Sequence, residues 1–114
     1  MSEDLDIETV AGLLEDETAR TLLTQTSQEP MSARTLKQQC DASGPTIYRR
    51  LEQLQECNLV VERTEPDPDG GHHRKVYAPN LRRVTVTLQD GDMDLSIDRQ
   101  GDMSDRFTRL IEGM

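Results

Sequence analysis

Apolar residues recur every three or four positions in the first third of the chain, the spacing of α-helices with one buried face. The pattern predicts a first helix over residues 7–14 after an Asp6 cap, and a second over about 16–27 that ends before Pro30. A short third helix is predicted over 32–40. The apolar positions of these helices are Ile7, Val10, Ala11, Leu14, Ala19, Leu22, Leu23, Ala33, Leu36 and Cys40.

A turn at residues 41–45 separates the third helix from a fourth. Ser43 is a good N-cap, and Pro45 falls in the first helical turn, where a missing N–H costs little. The fourth helix is predicted to run to about Asn58, a plausible C-terminal stop. Its inward positions are Ile47, Leu51 and Leu54.

The pattern then changes to that of strands. Residues 59–64 and 73–79 are predicted to pair around a Pro- and Gly-rich loop at 66–71. Residues 84–88 and 93–97 alternate apolar and polar positions around an Asp-Gly turn, which predicts a second hairpin with one buried face. Its apolar positions are Val84, Val86, Leu88, Met93, Leu95 and Ile97.

Composition narrows the class of protein. The chain has 114 residues, 33% of them hydrophobic, and a net charge of −9. No apolar run approaches a membrane span and no secretion signal opens the chain, so we expect a cytoplasmic protein. Acidic excess with only two lysines, Lys37 and Lys75, resembles proteins of salt-loving archaea. An ordinary acidic protein is the alternative.

The negative charge is uneven along the chain. Residues 1–31 sum to −7, residues 32–80 to 0 and residues 81–114 to −2. Overall acidity argues against a nucleic-acid partner, but the central segment carries no net negative charge. That segment is the nearest equivalent of a basic patch.

A short helix, a tight turn, a second helix and a hairpin form, in that order, a helix-turn-helix followed by a wing. Residues 8–80 resemble the winged helix-turn-helix domain of ArsR-like regulators of archaea and bacteria. The resemblance is carried by Met31-Ser32-Ala33-Arg34-Thr35-Leu36, by Ser43-Gly44-Pro45-Thr46-Ile47-Tyr48-Arg49-Arg50-Leu51 and by Leu59-Val60. We therefore expect an α+β fold, with a DNA-binding domain over 1–80 and a hairpin and dimerisation helix over 81–114.

The resemblance implies a dimeric transcription factor whose recognition helix, about 44–57, enters the major groove. Side-chain chemistry agrees, because Thr46, Arg49 and Gln53 project opposite the inward face and suit base edges. Tyr48 and Arg50 flank them within reach of phosphates, and Ser43 with Thr46 suits a phosphate at the helix N-terminus. The wing, about 66–75, is expected on the backbone or in the minor groove. Its candidate contacts are His73, Arg74 and Lys75.

The end of the chain predicts a dimer interface. Residues 103–114 have the spacing of an amphipathic helix whose apolar stripe is too large to leave exposed. We expect a C2 homodimer built from it, together with the N-terminal helix, that sets two recognition helices roughly 34 Å apart. The stripe consists of Met103, Phe107, Leu110, Ile111 and Met114.

Other functions are less well supported by the residues. Cys40, Cys57 and the His72-His73 pair fit neither ligand pattern of the metal-sensing members, so we expect no metal and no cofactor. A thiol switch, a metal or small-molecule effector, and a winged-helix module that binds protein remain open alternatives. No catalytic constellation is present, so we expect no enzymatic activity.

Overall fold

The computed structural model describes residues 7–66, 70–71 and 73–100. Four helices precede four strands in this part of the chain. The helices are α1 (Ile7–Glu15), α2 (Glu17–Gln28), α3 (Ala33–Gln39) and α4 (Gly44–Glu56), and the strands are β1 (Val60–Pro66), β2 (His73–Pro79), β3 (Leu81–Gln89) and β4 (Asp92–Arg99).

Short polar side chains start three of the helices. The side chain of Asp16 accepts a hydrogen bond from the backbone N–H of Ala19 at 2.8 Å and caps α2. Ser32 caps α3 and Ser43 caps α4 in the same way. The predicted starts of α3 and α4 are thereby confirmed. At the other end of α4, Asn58 adopts a left-handed backbone with φ 58°, which ends the helix as predicted.

The core forms where α2, α3 and α4 meet the first hairpin. Its fully buried side chains include Leu22, Leu36, Ile47, Leu51 and Leu54. In α1 the buried positions are Val10 and Leu13, whereas Ala11, predicted to face inward, is exposed. The helix α1 packs against α2, and its buried side is the one that carries Val10 and Leu13. The buried stripe therefore differs from the predicted one.

β1 and β2 pair antiparallel from Val60 opposite Pro79 to Pro66 opposite His73. Met31, in the connection between α2 and α3, adds a bridge to this hairpin. Its N–H donates to the carbonyl of Tyr77 at 3.1 Å and its carbonyl accepts from the N–H of Tyr77 at 2.8 Å. These bonds hold the hairpin beside the helices.

β3 and β4 form a separate two-stranded sheet, which confirms the predicted hairpin, and the apolar positions of one strand lie opposite those of the other. The prediction of a buried face was wrong for the described residues. Val86, Leu88 and Met93 are 54%, 71% and 54% exposed. The reason is that only the base of this hairpin meets the core, through Leu81 and Ile97, so the face has no described layer above its tip.

The base of the second hairpin is held to the end of α4. The Arg99 guanidinium donates to the carbonyls of Cys57 at 2.9 Å and Asn58 at 3.1 Å. Cationic groups are favoured at this end of a helix, where carbonyls lack intrahelical partners. The second hairpin therefore projects from the C-terminal end of α4.

The order of elements confirms the predicted α+β fold of the winged helix-turn-helix type. α3, the turn and α4 form the helix-turn-helix, and β1–β2 forms the wing. β3–β4 is the additional hairpin. The predicted C-terminal helix and its stripe, Met103, Phe107, Leu110, Ile111 and Met114, lie outside the described residues, as does His72.

Candidate nucleic-acid interface

The buried residues of α4 determine which of its side chains face outward. Because Ile47, Leu51 and Leu54 are buried in the core, residues about half a turn away must face outward. Arg49 is exposed on that outward face. A guanidinium on the first turns of such a helix is suited to pair with the O6 and N7 atoms of guanine in a major groove.

Tyr48 lies on the side of α4 that faces α3. Its ring is half-exposed, and the Lys37 ammonium stands 5.5 Å from the ring centroid. A Cβ atom added to Gly44 would lie 3.3 Å from Cδ of Lys37, so this lysine reaches the first turn of α4. Lys37 was missed as a candidate. Its position in the last turn of α3, preceding the turn, was the available signal.

The N-terminus of α4 carries two predicted phosphate contacts, Ser43 and Thr46. The Ser43 hydroxyl accepts from the backbone N–H of Thr46 at 3.3 Å and donates to the Thr46 hydroxyl at 3.0 Å. Ser43 is exposed and Thr46 is half-buried. The structure therefore brings these two hydroxyl groups together at the helix start.

Arg50 and Gln53 lie on the side of α4 opposite Tyr48. Arg50 Nε donates to Asp16 Oδ2 at 3.0 Å, and Arg50 Nη1 donates to Gln53 Oε1 at 3.2 Å. Both side chains line a cleft of about 400 Å³ that Thr9 and Gly12 of α1 also line. Arg50 is thus directed to the junction of α1 and α2, whereas Gln53 is exposed one turn after Arg49.

Asp16 has two structural roles at this junction, since it caps α2 and binds Arg50. The hydrogen bond from Arg50, and next the one from the backbone N–H of Ala19, hold the pKa of the Asp16 carboxyl below its usual value. Asp16 is therefore a carboxylate at neutral pH. Its charge keeps the Arg50 guanidinium against α2.

Lys75 lies on the side of the wing that faces α4. Its ammonium is 3.7 Å from Oε2 of Glu62, and the same oxygen accepts a hydrogen bond from Nε2 of Gln55 at 2.9 Å. Gln55 belongs to α4 and Glu62 to β1. The three side chains therefore connect the recognition helix to the wing, and this connection was not foreseen from the sequence.

Arg74 points to the other face of the wing, because neighbouring residues of a strand alternate. Its guanidinium is 4.0 Å from Glu65, the residue directly opposite it. His73 is exposed at the start of β2. The wing thus presents Lys75 on one face and Arg74 on the other, each beside a glutamate.

The two cysteines belong to the interior of the protein. Neither Cys40 nor Cys57 is in a disulfide, both are buried, and burial raises the pKa of the Cys40 thiol. A raised pKa leaves less thiolate at neutral pH, so Cys40 is less reactive than an exposed thiol. Among the described residues, no group of three or more His, Cys, Asp or Glu side chains is placed to hold a metal ion.

Two packed helices joined by a short turn and followed by a wing have the arrangement of helix-turn-helix domains. Residues 14–63 match the family model of a helix-turn-helix domain, from the end of α1 into β1. The match supports a helix-turn-helix regulator. A comparison with curated proteins found no match. No helix in the described part of the chain is long and apolar enough to cross a membrane.

Proposed function

We propose that this protein is an ArsR-like transcription regulator that binds double-stranded DNA as a homodimer in the cytoplasm. The observation that carries the proposal is the exposed Arg49 on the outward face of α4, within a segment that matches a helix-turn-helix domain. α4 enters the major groove and the wing contacts the backbone or minor groove. The proposed function needs no enzyme activity, cofactor or effector.

The proposed contacts divide by what each side chain reaches. Arg49 pairs with a guanine, and Thr46 lies beside it at the helix start. Ser43, Tyr48 and Lys37 contact phosphates next to the first turn of α4. His73, Arg74 and Lys75 form the wing contacts.

Arg50 takes a different role in the proposal from the one expected from spacing. Its hydrogen bond to Asp16 holds α4 against the start of α2. This bond fixes the angle at which α4 is presented, since Asp16 also caps α2. Contact of the Arg50 Nε group with DNA would require the bond to open, whereas Gln53 is exposed one turn after Arg49 and is proposed to contact a base edge.

The dimer is proposed from DNA geometry and from the apolar C-terminal stripe. Two recognition helices related by a two-fold axis read half-sites about one turn apart. Met103, Phe107, Leu110, Ile111 and Met114 supply apolar side chains for the interface, with α1 beside them.

A high-salt environment is also part of the proposal. Arg74 and Lys75 of the wing each stand beside a glutamate, and the chain carries a charge of −9. A dimer would bring about twice that charge to a polyanion, so cations must screen the approach. Molar salt inside a halophilic archaeal cell provides such screening.

The test begins by selecting bound duplexes from a random library in molar KCl. Arg49→Ala should then weaken binding to the selected site by about 1–3 kcal/mol and relax base choice at one position. Arg74→Ala should weaken selected and shuffled duplexes alike. Arg83→Ala is the matched control, because Arg83 is exposed on β3, outside the proposed contacts.

Two results would contradict the proposal. Equal and small effects of Arg49→Ala and Arg74→Ala would remove the assigned roles. Failure to enrich any duplex between low salt and molar salt would favour the other function open to a winged helix, the binding of a protein partner.

A further inference from the structure

A single carboxylate of the wing contacts both the lysine of the wing and the recognition helix. Oε2 of Glu62, in β1, accepts a hydrogen bond from Nε2 of Gln55, in α4, at 2.9 Å. The Nζ atom of Lys75, in β2, stands 3.7 Å from the same oxygen. Lys75 is directly opposite Thr64, two positions after Glu62, so Glu62 and Lys75 are diagonal neighbours on one face of the hairpin. One oxygen atom therefore has partners in two other elements.

The Arg74–Glu65 ion pair of the wing is built differently. Its two residues are directly opposite each other and 4.0 Å apart, so their contact stays within the hairpin. Glu62 is bonded outside the hairpin, to α4, and that bond restricts the rotation of its side chain. The Lys75 side chain is nevertheless 60% exposed. A DNA phosphate can thus approach Lys75, but it must do so beside a negative charge that is held in place.

The distance between such a phosphate and Glu62 decides how strongly the two repel each other. A phosphate oxygen bonded to the Lys75 ammonium would lie about 3 Å from Nζ. Because Oε2 of Glu62 is 3.7 Å from Nζ, the two anions would be at most about 7 Å apart. The Debye length is about 10 Å at 0.1 M salt and about 3 Å at 1 M salt. Their repulsion is therefore felt in dilute salt and screened in molar salt.

We propose that Glu62 is a positioning residue that opposes the contact between Lys75 and a DNA phosphate, and that this contact forms fully only where salt screens the Glu62 charge. The inference rests on the proposed function and adds to it a residue that acts against binding. Because a phosphate contact carries no sequence information, Glu62 reduces the affinity for every duplex alike. In dilute salt it leaves a larger share of the binding to the base contact of Arg49.

The test uses two substitutions of Glu62 in the full-length protein. Glu62→Gln removes the charge and keeps a side-chain oxygen that can accept from Gln55, whereas Glu62→Ala removes both the charge and the acceptor. Each variant and the wild type are titrated with the selected duplex and with a shuffled duplex, in molar KCl and at a tenfold lower concentration. Circular dichroism at both concentrations monitors the fold.

The expected effect follows from the counterions of one phosphate contact. An ordinary contact contributes about −0.9 to the slope of log K against log salt, because a counterion leaves the DNA. In the wild type, a cation taken up beside Glu62 offsets that release. We expect both variants to have slopes steeper by about 0.9 and, at the tenfold lower salt, affinities about eightfold higher than the wild type. The increase should be the same for both duplexes, and all three proteins should bind alike in molar KCl.

Two controls separate competition at Lys75 from a general effect of charge. Asp94→Asn removes one negative charge from an exposed position on β4, outside the wing, and should leave DNA affinity unchanged at either salt concentration. In a Lys75→Ala background there is no ammonium for which Glu62 and a phosphate compete. Glu62→Gln should then raise the affinity at the lower salt by about twofold at most.

Other outcomes overturn the inference. Glu62 would be only a structural link if Glu62→Ala weakened binding and Glu62→Gln left it unchanged. An increase that persists in molar KCl, or one of full size in the Lys75→Ala background, would mean that Glu62 does not act through screened competition at Lys75. Unchanged slopes beside a wild type that binds the selected duplex would remove the inference and leave the proposed function intact, whereas failure of the wild type to bind any duplex would remove both.

Discussion

The neighbouring residues Arg49 and Arg50 should respond oppositely to the same substitution. Arg49 lies on the outward face of α4, whereas Arg50 binds Asp16 and Gln53. We expect Arg49→Ala to reduce DNA affinity and leave folding unchanged. We expect Arg50→Ala to reduce folding stability and to affect DNA affinity less.

The size of the Arg50 effect follows from the partial exposure of its ion pair. Its nitrogen lies 3.0 Å from the Asp16 oxygen, and the side chains are 23% and 27% exposed. Exposed pairs contribute about 0–1 kcal/mol, and buried hydrogen bonds to charged groups about 1.5–3 kcal/mol. An intermediate value of about 1 kcal/mol corresponds to a fall in Tm of about 4 °C for a domain of this size. Molar salt should reduce it.

The assay pairs denaturant unfolding with DNA titration for both variants. Arg49→Ala should weaken cognate binding about 5- to 150-fold. A double-mutant cycle of Arg50→Ala with Asp16→Asn isolates the ion pair, because asparagine preserves the cap of α2. If Arg50→Ala reduces DNA affinity as much as Arg49→Ala with unchanged unfolding, the assignment of Arg50 to the α1–α2 side is wrong.

Three further predictions concern pH, the end of α4 and salt. The pKa of Asp16 is lowered in the folded state. The carboxylate therefore stabilises the fold above its usual pKa of 3.8, and this stabilisation is lost as pH falls through the folded-state pKa. Urea titrations of wild type and Asp16→Asn should converge in that acidic range. Asn58→Ala should lower the unfolding free energy by about 1 kcal/mol and Asn58→Gly should not, because φ is 58°; equal losses in denaturant titration would refute this. Finally, cognate binding titrated from low to molar KCl should show a shallow or reversed salt slope, since cation uptake offsets counterion release; a steep negative slope would refute the halophilic interpretation.

Interactions between residues close in sequence were sufficient to predict most of the helices and strands. Ser32 and Ser43 begin helices because their hydroxyls accept from backbone N–H groups three residues later, a contact that depends on no distant residue. Alternation between 84 and 97 predicted the second hairpin for a similar reason, since strand periodicity is local. The outward direction of Arg49 followed from helix geometry once the apolar face of α4 was known.

Only the tertiary structure determines which residues lie next to each face of a helix or hairpin. Helical spacing places Arg50 on a flank of α4 and cannot identify the neighbour there, which is Asp16. Strand spacing separates Lys75 from Arg74, but only the fold turns Lys75 toward Glu62 and Gln55. The alternation that predicted a buried face on β3–β4 specifies two faces without specifying a covering layer. A sequence determines such faces through short-range geometry, whereas burial depends on residues that only the folded or assembled chain brings near.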